Sequence, residues 1–119
     1  MYFYPKADTP GCVKQACSVK DSFKDLGKLG AVVVGISPDE PVKQKKFDGK
    51  YKLGFPLLSD LDHSVAKSYG AWGKKSMYGK TYDGIIRSSF VLDEKGKIIQ
   101  VTYKVKPLDT VPNAKEALT

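Results

Sequence analysis

The chain has 119 residues, of which 41% are hydrophobic and 28% charged, and its formal net charge is +7. That length points to one domain, residues 1–119, with an ordinary core. No apolar stretch approaches the roughly 20 residues that span a bilayer, which speaks against a membrane role. Nineteen lysines stand against a single arginine, with only small clusters at Lys43/Lys45/Lys46 and Lys74/Lys75. Nucleic-acid binding calls for a basic stripe with arginine forks or interleaved aromatics, so the charge reads as a solvated surface that can steer an acidic partner. No signal-peptide pattern opens the chain, and two cysteines do not make a secreted disulfide scaffold; a reduced, cytosol-like setting fits better.

In chain order, Met1–Tyr4 reads as a strand and Cys12 to about Leu29 as a helix carrying Cys17, Phe23 and Leu26, ended near Gly30. The β-branched run from Ala31 to Ile36 predicts a strand buried on both faces. Ser37–Pro41 is a turn into a second helix that runs to about Tyr51. Phe55–Ser59 is a short strand, and Ser59 or Asp60 caps a third helix ending near Tyr69-Gly70. Trp72 to Gly84 reads as irregular, with Tyr69, Trp72, Tyr78 and Tyr82 packing a loop. Ile85–Leu92 and Lys97–Tyr103 form two strands around the turn Asp93-Glu94-Lys95-Gly96, and a last helix spans Thr110 to Leu118. The order predicts an α/β chain with a mixed central sheet flanked by helices, a thioredoxin-like arrangement.

The chemistry gathers at Thr9-Pro10-Gly11-Cys12 and at Cys17, five residues further on. Pro10 suits the first position of a helix and Thr9 can serve as its N-cap. Cys12 then lies in the first turn, where unpaired backbone N–H groups and the helix dipole favour thiolate, the nucleophilic form. Five residues along a helix is a rise of roughly 7.5 Å and a rotation of about 140°. A disulfide needs Cα atoms closer than about 7 Å, so a Cys12–Cys17 bond requires the helix to unwind. Two unrelated cysteines, with Cys17 on the buried face, account for the spacing equally well.

The segment Tyr2-Phe3-Tyr4-Pro5-Lys6-Ala7-Asp8-Thr9-Pro10-Gly11-Cys12 resembles the peroxiredoxin active-site pattern PxxxTxxC, with Pro5, Thr9 and Cys12 on its three fixed positions. Cys17 at the fifth position beyond is similar to the resolving cysteine of the bacterioferritin comigratory protein, or peroxiredoxin Q, group of atypical two-cysteine enzymes. Val34–Asp39, Phe55–Asp60, Tyr69–Gly73 and Gly84–Asp93, with Arg87-Ser88-Ser89-Phe90, match the same group, so the resemblance covers nearly the whole chain. Members of that group carry a further N-terminal segment before the Tyr-Phe-Tyr-Pro strand. The chain therefore reads as N-terminally shortened, with stability more affected than chemistry.

The resemblance implies a thioredoxin-dependent peroxidase that reduces hydrogen peroxide and alkyl hydroperoxides in antioxidant defence. It implies Cys12 as the peroxidatic and Cys17 as the resolving cysteine, paired in a disulfide on oxidation. On that resemblance Thr9 is expected to orient the peroxide, backbone N–H groups at Gly11 and Cys12 to face its oxygens, and Arg87 to hold thiolate and peroxide together. Pro5 shields the sulfur. It further implies a monomer without metal or organic cofactor and a thioredoxin-like reductant. It implies no nucleic-acid or membrane partner, and a cytoplasmic location, an organellar target being left open by the shortened N-terminus. Without the motif, Arg87 reads as a surface ion pair and Thr9 as a plain helix cap. His63 reads as a surface or capping residue, and no His/Cys cluster has zinc-ligand spacing. Two competing classes are a basic binding module with incidental cysteines and a disulfide oxidoreductase, although the Cys-x-x-Cys spacing of the latter is absent.

Overall fold

The computed structural model describes residues 1–77 and 79–118. Tyr78, expected to pack a loop, lies outside the described residues. The elements run β1 (Tyr2–Phe3), α1 (Pro10–Asp21), α2 (Phe23–Lys28), β2 (Gly35–Ser37), α3 (Pro41–Tyr51), β3 (Leu57–Ser59), α4 (Ser64–Ser68), β4 (Trp72–Met77), β5 (Lys80–Ile85), β6 (Ser88–Leu92), β7 (Ile98–Tyr103) and α5 (Thr110–Leu118), with a 3-10 turn at Pro107–Asp109. Five strands pair in the order β3-β2-β1-β6-β7. β1, β2 and β3 are parallel, whereas β6 and β7 are antiparallel additions, so the sheet is mixed as expected.

Side chains alternate across β1, as the period of a strand requires. Tyr2 and Tyr4 enter one cluster with Cys12, Ala16, Val19 and Phe47, between the sheet and α1, α3 and α5. Phe3 turns to the other face and joins Ile36, Ala66, Ala71, Ile85 and Phe90. The fold is thioredoxin-like, and the strand preceding the cysteine loop lies at its centre.

Five elements differ from the sequence reading. The expected single helix from Cys12 to Leu29 begins at Pro10 and breaks at Ser22, whose backbone (φ −100°, ψ 7°) leaves the helical region. Its Phe23 is exposed. Of the run Ala31–Ile36, only Gly35 and Ile36 join the sheet, and Val32 is 81% exposed. A strand needs a ladder as well as propensity. Pairing with β1 begins at Tyr2↔Gly35, after Tyr2 N–H donates to the Val34 carbonyl at 3.0 Å.

The stretch read as irregular, Trp72 to Gly84, is a two-stranded hairpin, β4 against β5, with Gly79 at φ +77° in its turn. Its residues are largely polar and exposed, so no alternation marked it. Ile85–Leu92 is two strands, because β5 ends where Ile86 N–H donates to the Ala71 carbonyl and β6 starts at Ser88. Arg87 occupies the corner between the two sheets. Asp60 does cap the third helix, accepting from Val65 and Ala66 N–H at 3.1 and 2.9 Å, but that helix starts only at Ser64. His63 precedes it in the left-handed region (φ 61°), its ring stacked on Trp72 at 4.1 Å.

Candidate active site

Cys12 sits in the first turn of α1 and is 1% exposed. Pro10 opens that helix, and Val13 N–H donates to the Thr9 carbonyl at 2.8 Å, so the backbone before Cys12 is wound from Thr9 onward. Arg87 reaches it from the sheet corner. Its Nη2 donates to Cys12 Sγ at 3.4 Å, and its Nη1 donates to Gln15 Oε1 at 2.6 Å. One fork thus joins the sulfur to a side chain one helical turn below it, a geometry a lysine ammonium cannot copy.

Gln15 is fully buried, and its Nε2 donates to Thr110 Oγ1 at 2.8 Å. Beneath the fork lies Gly11. A Cβ placed there would stand 3.1 Å from Arg87 Nη2 and 3.7 Å from Pro107 Cγ, so the lack of a side chain lets the guanidinium settle on the helix start.

The loop between β1 and α1 is tied down at two points. Ala7 N–H donates to Asp39 Oδ2 at 2.7 Å, and the same oxygen accepts from Ser37 Oγ at 2.7 Å. Gln44 Nε2 donates to Ser37 Oγ at 2.7 Å and to the Leu58 carbonyl at 2.9 Å, while Tyr4 Oη donates to Gln44 Oε1. Further along, Asp8 takes a left-handed backbone (φ 58°) and accepts from Lys50 Nζ at 3.0 Å and Tyr51 Oη at 2.7 Å. The Tyr51 and Lys50 bonds hold the Asp8 carboxyl below its usual range.

The remaining sequence candidates are placed as follows. Thr9 stands at the N-cap position but does not cap; its hydroxyl donates to the Lys6 carbonyl at 2.8 Å, closing the turn. Pro5 is half-buried directly after Tyr4. Cys17 is half-buried rather than part of the core, and the two thiols of α1 are unbonded. Cys12, Arg87 and Gly11 are brought together.

Sequence reasoning missed Gln15, Thr110 and Lys75. Gln15 had one available signal, its position three residues after Cys12 on the same helical face. Thr110 had none. Lys75 on β4 has its pKa lowered by partial burial and then by the Arg87 charge, with Cys12 opposing, so the hairpin brings a second cation into the field of the site. Burial, reinforced by Tyr4 and Cys12, pushes the Tyr2 hydroxyl well above the usual phenol value. That hydroxyl has no hydrogen-bond partner among the described residues. A broad apolar groove of about 880 Å³, bordered by Leu29, Val32 and Leu118, does not include Cys12 or Arg87 in its lining. Among the described residues no three His, Cys, Asp or Glu side chains are grouped to hold a metal ion, and no helix is long and apolar enough to cross a membrane.

The thioredoxin-like sheet presents a helix-start cysteine to an arginine fork, and the relatives of the chain are peroxidases of the oxidoreductase class. Residues 1–101 match the model of the AhpC/TSA family. The chain is 55% identical over 109 residues to a putative peroxiredoxin bcp of Haemophilus influenzae, spanning 92% of this chain and 70% of that one. It is 54% identical over 101 residues to peroxiredoxin Bcp of Escherichia coli, spanning 85% and 65%. A cysteine-to-serine variant of Xanthomonas campestris peroxiredoxin Q superposes with a TM-score of 0.86 at 35% identity, covering 98% of this chain and 73% of that one. The BcpB structure from Mycobacterium tuberculosis gives 0.86 at 36%, covering 98% and 75%. The chain belongs to the AhpC/TSA family, and within it to the peroxiredoxins of the Bcp and peroxiredoxin Q kind.

Proposed function

We propose that residues 1–119 act as one domain that reduces hydrogen peroxide and alkyl hydroperoxides with Cys12 as the attacking group. The observation that carries this reading is the Arg87 Nη2 to Cys12 Sγ contact of 3.4 Å at the start of α1. A related solved structure, the X. campestris bacterioferritin comigratory protein, is described by its alkyl peroxide reduction activity.

The Cys12 thiolate attacks the terminal oxygen of the peroxide, forming an S–O bond as the O–O bond breaks. The sulfur is oxidised to the sulfenic acid, and the leaving alkoxide or hydroxide takes a proton to become alcohol or water. Negative charge spreads over the sulfur and both oxygens in the transition state, where Arg87 and the N–H groups at Gly11 and Cys12 supply fixed donors. Thr9, whose hydroxyl is oriented by its bond to Lys6, lines the approach and orients the peroxide. Pro5 keeps bulk water off the sulfur.

Cys17 then attacks the sulfenic sulfur, an S–S bond forms and water leaves. Both residues lie on an intact α1, so this step requires the first turns to unwind. A thioredoxin-like dithiol reduces the disulfide by exchange and is itself oxidised. The reading is completed by a monomer working in the cytoplasm, in antioxidant defence, without a metal or organic cofactor.

The test is a coupled assay in which NADPH, thioredoxin reductase and thioredoxin turn the protein over with hydrogen peroxide or cumene hydroperoxide. Peroxide-dependent NADPH oxidation that is lost in Cys12→Ser supports the reading; turnover that survives this change contradicts it.

A further inference from the structure

Arg87 is a donor-only group, so its partner must present an acceptor. The partner is the amide of Gln15, whose two ends are nearly equal in size and opposite in hydrogen-bonding sense. Its oxygen faces Arg87 Nη1 at 2.6 Å, and its nitrogen faces Thr110 Oγ1 at 2.8 Å. Gln15 is 0% exposed and Thr110 5%, so water does not stand in for the bond between them. A buried amide nitrogen without an acceptor is costly, and the side chain would move to find one. The Thr110 hydroxyl therefore decides whether the Gln15 oxygen can stay where Arg87 needs it.

The same C-terminal segment touches the site twice more. Val105 N–H donates to the Arg87 carbonyl at 2.9 Å, and Pro107 lies beside Arg87 over Gly11. Residues 105–110 thus form the back wall of the arginine, and they lie beyond residues 1–101, which the family model matches.

We infer that Thr110 is a positioning residue for peroxide reduction, acting through the Gln15 amide to hold the Arg87 fork against Cys12. The inference rests on the proposed role of Cys12 and Arg87 in reducing peroxide. It adds a control point, at the start of α5, to a site otherwise built from α1 and the sheet corner.

The test compares Thr110→Val, which keeps the shape and removes the acceptor, with Thr110→Ser, which keeps the acceptor. Each is made in the wild-type and the Gln15→Leu background. Two rates are followed: oxidation of Cys12 by hydrogen peroxide, and its alkylation by iodoacetamide, which needs no oxygen held by Arg87. Thr110→Val is expected to slow oxidation about tenfold, the size of one hydrogen bond to a charged group. Alkylation, which feels the fork only through its contact with the sulfur, should slow by less than oxidation does, and Thr110→Ser should recover most of the lost rate. In the Gln15→Leu background, Thr110→Val should add almost nothing.

An unchanged oxidation rate in Thr110→Val overturns the inference, as does an equal loss in the Gln15→Leu background. A merely structural role would instead loosen α1 and speed alkylation of the buried thiol, which also counts against it. Should Thr110→Val fold poorly, Thr110→Ala is read against Thr110→Ser in the same way. If wild-type Cys12 itself does not react with peroxide, the peroxidase reading falls and this inference with it. If wild type reacts and the variants do not differ, only the inference falls.

Discussion

Gln15 and Arg87 stand 72 residues apart in the chain and are joined by a hydrogen bond of 2.6 Å. The bond ties the helix that carries Cys12 to the corner where the two sheets meet. The other arm of the same guanidinium reaches Cys12 Sγ, so the arginine takes its position from the helix on which the sulfur sits. The sole arginine in a chain of nineteen lysines is spent on this fork.

Replacing Arg87 should therefore remove oriented charge rather than charge alone. Arg87→Lys keeps the sign and loses the second arm. Its rate of Cys12 oxidation should fall on the order of a hundredfold or more, the scale seen when one preorganised transition-state donor is removed. Stopped-flow oxidation by hydrogen peroxide measures it, and a Lys variant within about twofold of wild type would contradict the fork's role.

Gly11→Ala should separate stability from activity. The backbone there is that of an ordinary helix start, so alanine should add up to about 1 kcal/mol of helix preference. The new Cβ would stand 3.1 Å from Arg87 Nη2 and push it from the sulfur. Urea unfolding should show equal or greater stability, while peroxide oxidation slows on the order of tenfold or more. An unimpaired rate would mean that the guanidinium has room to shift without consequence.

Alkaline pH should destabilise the protein through the buried tyrosines. Burial, opposed by hydrogen bonds with Ser37 and Gln44, pushes Tyr4 from 10.0 up to about 12. Between these values the folded state still holds a proton that the unfolded chain has released, so unfolding free energy falls as pH rises. The contribution is fully present below pH 10.0, and is lost as pH rises through about 12. Urea midpoints measured from pH 9 upward should decline across this window, and Tyr4→Phe should flatten the decline. A Tyr4→Phe protein with the wild-type slope would show that Tyr4 is not the group responsible.

Oxidation should cost helix. Cys12 and Cys17 both belong to the continuous α1, Pro10–Asp21, and a bond between them is incompatible with that helix. Far-ultraviolet circular dichroism should lose the equivalent of roughly two helical turns when peroxide is added, and regain it on reduction. Cys17→Ser should keep the full signal. An unchanged spectrum in a protein shown to carry the disulfide would rule out unwinding as the route to it.

Much of the site was legible because its chemistry is local in sequence. Thr9, Pro10, Gly11 and Cys12 mark a helix start, and Cys12 is found there. Arg87 stood out as a lone arginine beside an apolar strand. Gln15 and Thr110 did not, because a glutamine on a helix and a threonine at a helix start are ordinary surface residues until the fold buries them together. The fold was legible where burial leaves a pattern, as in β1, α3, β6 and α5. It was not where pairing partners decide, since Ala31–Val33 has strand propensity and no ladder. Nor was it in β4 and β5, whose polar faces give no alternation to read. Thr9 shows the same limit at the scale of one bond, its hydroxyl preferring the Lys6 carbonyl to the helix end.

The most direct test of the account is the intact mass of the reduced protein seconds after one equivalent of hydrogen peroxide, for wild type and Cys17→Ser. Wild type should lose two hydrogens as the Cys12–Cys17 disulfide forms, and Cys17→Ser should gain one oxygen at Cys12. An unchanged wild-type mass, or oxygen gained at Cys17 with Cys12 untouched, would contradict Cys12 as the group that meets peroxide.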